Sequence, residues 1–85
     1  MPYQKGNRAR NFLRAVSNNN IETVEKLLLK DPMLVYEFDE LKQTGLILAS
    51  KRNYTELALR LVIARSRVNF KDLVGRTALM FAVEN

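Results

Sequence analysis

The chain has 85 residues, 47% of them hydrophobic, with only 3 Gly and 2 Pro; this is enough for one small helical domain with a limited core, and too apolar for a disordered chain. It contains no Cys and no His, which excludes disulfides, thiolate nucleophiles, Cys/His zinc sites and a histidine general base. The net charge of +5 is divided into +4 over residues 1–20, −3 over 21–42 and +4 over 43–85, a profile that suits a charged interaction surface better than a uniformly cationic nucleic-acid binder.

Residues 1–9 hold Pro2 and Gly6 and no apolar period, so they are expected to form a flexible basic lead. Lys5, Arg8, Arg10 and Arg14 are the cations of an acid-free first 20 residues and are candidates for electrostatic docking. That stretch also fits a mitochondrial-type targeting segment, against which residues 12–16 already read as part of the first repeat of the folded domain. Phe12, Ala15 and Val16 sit at i, i+3 and i+4 from a helix beginning at Arg10. Ser17, Asn18, Asn19 and Asn20 interrupt the pattern, because their side chains compete for backbone hydrogen bonds.

A second helix follows on Ile21, Val24, Leu27 and Leu28, with Asn20 as N-cap, Glu22 favouring its start and Pro32 stopping it. Residues 33–43 mix Val35, Tyr36 and Phe38 with acids and are expected to be an extended finger, part of it packed on the preceding helices. Thr44 caps a third helix with Leu46, Ala49 and Ser50 as its inner stripe, and Asn53 and Tyr54 make the next turn. Residues 55–64 form a fourth helix with Leu57, Leu61 and Ala64 on one face, Ala58 and Val62 beside them and Arg60 outward. A second finger occupies 65–72, with Val68 and Asn69 as its returning edge, and Gly75 and Thr77 open a final helix that is still running at Asn85. The richest apolar run, 57–64, is broken by Arg60 and is far too short to span a membrane.

One cassette recurs. Asp39 and Asp72, Thr44 and Thr77, Leu46 and Leu79, and Ala49 and Ala82 are each 33 residues apart, while Ala15 and Ala49 are 34 apart, which requires one extra residue between Lys30 and Asp39. A period near 33 with a Thr-x-Leu-x-x-Ala helix start resembles the ankyrin repeat. The resemblance covers residues 12–85 and is best in the third copy, where Asp72, Gly75, Thr77, Leu79 and Ala82 are all in place. In the second copy Asp39, Thr44, Leu46, Ala49, Glu56, Leu57, Leu61, Val68 and Asn69 match, and the first is degenerate, as terminal repeats tend to be.

The resemblance implies an all-α, ankyrin-type helix-turn-helix solenoid with finger-like loops, divided into a degenerate repeat at 10–38, a second at 39–71 and an incomplete third at 72–85. Gly45 and Ala78 stand where the family has Pro, and Ile47 and Met80 where it has His. Lys42 and Arg65 replace turn and exit glycines, so each is strained by about 1 kcal/mol or more if its φ is positive. Because the third copy stops after one helix, the side bearing Leu79 and Phe81 is expected to be covered by further repeats or by another subunit.

The sequence offers no catalytic constellation: it contains no phosphate loop, nucleophile elbow or metal spacing. Asp39 and Glu40 are adjacent, so in an extended segment they face opposite sides and read as solvated turn residues, and Asp72 reads as closing its own turn. The expectation is therefore a non-enzymatic protein without cofactor or metal. By resemblance, the variable contact positions for a protein partner are Glu40, Leu41, Gln43, Lys51, Arg52, Leu73, Val74 and Arg76. An aliphatic group of Leu41, Leu73 and Val74 rimmed by Lys51, Arg52 and Arg76 suits a partner with an apolar anchor and acidic flanks; packing of the three leucine and valine side chains between adjacent fingers is the competing reading. The functional alternative is a small basic structural subunit that contacts RNA or an acidic neighbour through its arginine-rich N-terminus. The compartment expected is the cytoplasm, with the nucleus as alternative.

Overall fold

In a computed structural model that describes residues 7–64, 71–77 and 80, four α-helices form two antiparallel pairs. Helix α1 spans Asn7–Ser17, α2 Ile21–Lys30, α3 Gly45–Lys51 and α4 Thr55–Ile63, with a 3-10 helix at Pro32–Tyr36 between the pairs. The architecture is all-α. Among the described residues the only extended pairing is an isolated bridge between Phe38 and Thr44.

Helix α1 starts at Asn7 rather than Arg10. Ala9, Phe12, Leu13 and Val16 repeat at i, i+3, i+4 and i+7 and are all buried, so residues 7–9 belong to the folded domain and not to the basic lead. The turns that close α1 and α3 are built alike. Asn19 and Asn53 both take the left-handed conformation, with φ of 55° and 61°. The N–H of Asn20 donates to the carbonyl of Ala15, and that of Tyr54 to the carbonyl of Ala49, at 2.9 and 2.8 Å. Asn19 N–H donates to Val16, and Asn53 N–H to Ser50, completing the double closure of a Schellman motif in each copy. Asparagine is the non-glycine residue best suited to that conformation.

Asn20 caps α2, its side-chain oxygen accepting from Thr23 N–H at 3.2 Å. Asp31 ends α2 and caps the 3-10 helix, accepting from Met33 N–H with Pro32 at the first position. The connection is thus not extended along its whole length. Leu34 and Val35 are adjacent and both buried, and a tight helix serves that pair better than a strand, which would send them to opposite faces.

Helix α3 carries no simple stripe, since every residue from Gly45 to Ala49 is buried. It packs on α1 and on α4, which leaves it little solvent face. Gly45 makes the approach to α1 feasible: a Cβ there would lie 3.1 Å from Phe12 Cε2 and 3.4 Å from Val16 Cγ2. At the other end, Arg52 Nη1 and Tyr54 Oη both donate to the Ser17 carbonyl, at 3.3 and 3.1 Å. Leu57 and Leu61 anchor α4 in the core, whereas Val62, expected beside them, is exposed. The outer helices are joined by an ion pair from Arg60 to Glu25. The expectations for Arg65, Val68, Asn69, Leu79, Phe81 and Ala82 lie outside the described residues.

Candidate functional site

The turns around Asp39 and Asp72 carry one hydrogen-bond scheme twice. Asp39 Oδ1 accepts from the N–H groups of Leu41 and Gln43 at 2.9 and 2.8 Å. Asp72 Oδ1 accepts from those of Val74 and Arg76 at 3.0 and 2.9 Å. Asp39 N–H donates to the Gln43 carbonyl, and Asp72 N–H to the Arg76 carbonyl, at 3.1 and 2.8 Å. The tight turn inside each loop closes through Lys42 N–H and Gly75 N–H, which donate to the carbonyls of Asp39 and Asp72. The residue that follows each turn is left-handed, Lys42 with φ of 59° and Gly75 with 82°, and this reverses the chain so that the Gln43 and Arg76 carbonyls meet the Asp39 and Asp72 N–H groups. Thr44 and Thr77 follow as caps, their hydroxyls accepting from Ile47 and Met80 N–H at 3.2 and 3.4 Å.

The two loops are also tied to each other, by Leu73 N–H donating to the Leu41 carbonyl at 2.8 Å. This bond brings their tips together. Leu41, Leu73 and Val74 stand there 55%, 58% and 69% exposed, so they do not fill a space between the fingers. Glu40 is exposed beside them. The loops hold these side chains by backbone and carboxylate bonds alone, without burying them.

Two of the expected contact positions differ from the rest. Gln43 is only 5% exposed, so its side chain is not offered to a partner; it is drawn inward because the turn pulls its N–H onto Asp39 directly before the fully buried Thr44. Its counterpart Arg76 is half-buried for the same reason, and its Nε donates to Asp72 Oδ2 at 3.2 Å. The Asp72 side chain is 2% exposed. Burial alone would raise its pKa, but the N–H groups of Arg76 and Val74 and the Arg76 guanidinium outweigh it and hold the carboxyl below its ordinary value.

Lys51 and Arg52 are exposed but lie at the far end of α3, about 9 Å along the helix axis from the loop, so they do not rim the aliphatic tips. Arg52 reaches the end of α1 through its bond to the Ser17 carbonyl. Arg10 and Arg14 are exposed on α1, and Arg8 pairs with Asp31 at 3.5 Å. Lys5 lies outside the described residues. Sequence reasoning missed the bond between the loops, which follows from no residue type, and the Asp72–Arg76 pair, which the turn brings together where no helical spacing rule applies.

Among the described residues no group of His, Cys, Asp and Glu could hold a metal ion, and no helix is long and apolar enough to cross a membrane. Asp39 Oδ1 is engaged by the N–H groups of its own turn. The family model described as ankyrin repeats (3 copies) matches residues 12–85. A search of curated proteins returned no match.

Proposed function

The chain belongs to the ankyrin-repeat family, and from the aliphatic tips of its two turns we propose that it is a protein-recognition module that holds its partner on those tips and on the adjoining α1/α3 face. Ankyrin repeats generally serve as protein–protein interaction modules, and the family typically consists of non-enzymatic scaffolds.

The observation that carries this reading is the exposure of Leu41, Leu73 and Val74 on loops whose backbone is already fixed. Covering such a side chain is worth about 1.5–3 kcal/mol, and a preformed loop has little ordering entropy left to lose on binding. The contact set is Glu40, Leu41, Leu73 and Val74 at the tips with Lys51 and Arg52 further along α3, Arg76 contributing from its half-buried position. The protein acts without catalysis, and its cysteine-free composition is compatible with a reducing compartment such as the cytoplasm.

Photo-crosslinking tests this. A crosslinking residue placed at position 73 or 74 should yield protein adducts that survive nuclease treatment, whereas one at the still more exposed position 29 on α2 should yield few. Equal labelling from both positions, or adducts that vanish with nuclease, would overturn the reading.

A further inference from the structure

Charge is sorted by layer in this fold. Helices α1 and α3, with the residue that ends α3, carry Arg8, Arg10, Arg14, Lys51 and Arg52 and no carboxylate. The described carboxylates lie on α2, on α4 and in the connecting turns, and most are spoken for: Glu22 pairs with Lys26 at 3.2 Å, Glu25 and Glu56 with Arg60, Asp31 with Arg8, Asp72 with Arg76. Helices α2 and α4 therefore use i, i+4 spacing for attraction. On α1 the same spacing sets Arg10 against Arg14, two exposed like charges with no ion pair among the described residues, an arrangement that destabilises an isolated helix.

Three of these cations are also adjacent. Arg52 bonds to Ser17, within one helical turn of Arg14, so Arg10, Arg14 and Arg52 follow one another along about 10 Å of α1, and Lys51 precedes Arg52 in the chain. That length matches about three residues of extended chain.

We propose that this strip receives an acidic segment of the protein partner, a short run of Asp or Glu continuing from the apolar residue seated on Leu41, Leu73 and Val74. The inference rests on the reading of the tips as a protein-binding surface and adds the partner's chemistry. A peptide fits the surface better than a nucleic acid because the tip residues are aliphatic, offering no ring on which a base could stack, and because Glu40 stands among them. Opposite charge on the partner would speed encounter and set its orientation.

The test is selection of a random 16-residue phage-displayed peptide library on the full chain, followed by affinity measurements on the enriched peptides. Enriched peptides should carry at least twice the library's share of Asp and Glu beside an apolar residue. The Arg10→Glu/Lys51→Glu variant should bind them at least tenfold more weakly at low salt. It should keep the parent helicity by circular dichroism, because the carboxylate introduced on α1 would pair with Arg14 four residues on and offset the loss of Lys51 from the last turn of α3. Peptides with no acidic excess, a loss under twofold, or tighter binding of a dT20 oligonucleotide than of any peptide would each overturn the proposal. Acidic peptides that ignore Leu73→Asp/Val74→Asp but respond to Arg10→Glu/Lys51→Glu would uphold the strip and overturn the tip reading. Peptides with the opposite response would uphold the tips and overturn the strip.

Discussion

Asp39 and Asp72 hold their turns with the same bonds, yet the left-handed residue within each differs. Gly75 adopts its φ of 82° without penalty, whereas Lys42 at 59° bears the strain of a side chain in that region, about 1–2 kcal/mol. Lys42→Gly should therefore raise unfolding stability by about 1 kcal/mol, and Gly75→Lys should lower it similarly, both read from urea midpoints. A loss of stability on Lys42→Gly would mean that the lysine makes compensating contacts. Asp72 sets a pH dependence. Its folded-state pKa is depressed, so its contribution is complete above the ordinary carboxylate value and is lost as pH falls through the folded value. The urea midpoint should decline on acidification below about pH 4, and Asp72→Asn, which removes the charge from the Arg76 pair, should flatten that decline while costing about 1–2 kcal/mol at neutral pH.

Among the elements, α3 is the one whose packing can be tested with a single methyl group. Gly45 occupies the first helical position, where alanine would improve helix propensity by up to about 1 kcal/mol, but the added Cβ would press on a Phe12 ring that is fully buried and has nowhere to yield. Overpacking of about 1–3 kcal/mol outweighs the propensity gain, so Gly45→Ala should destabilise the fold, and Phe12→Leu should relieve part of the effect in a double-mutant cycle. The elements also show what a single sequence discloses. The repeated Asp, Thr, Leu and Ala frame, the Asn20 and Thr44 caps and the positive φ expected if Lys42 kept the family turn were all legible, because each follows from a local rule. The start of α1 was not, since Ala9 is too small to announce an apolar period. The 3-10 helix was hidden because Leu34 and Val35 are neighbours and neighbours define no period. Gln43 was assigned to the contact surface by its place in the repeat, and only the inward pull of the turn shows otherwise.

Across the whole molecule, the two helix pairs separate tasks. The outer layer neutralises its charges internally through Glu22–Lys26 and the Arg60 pairs, while the α1/α3 layer and the tips leave cations and aliphatic groups facing outward. Exposed apolar residues also occur away from the tips, at Leu29 on α2 and Met33 on the 3-10 helix, and they supply a matched control. The central claim is that partners bind the tips and not the surface at large. Its most direct test is the affinity of a library-selected peptide for Leu73→Asp/Val74→Asp against Leu29→Asp/Met33→Asp, with both variants first shown by circular dichroism to keep the parent helicity. A loss of tenfold or more at the tips with less than twofold at Leu29 and Met33 is the predicted result; equal losses, or a loss confined to Leu29 and Met33, would contradict it.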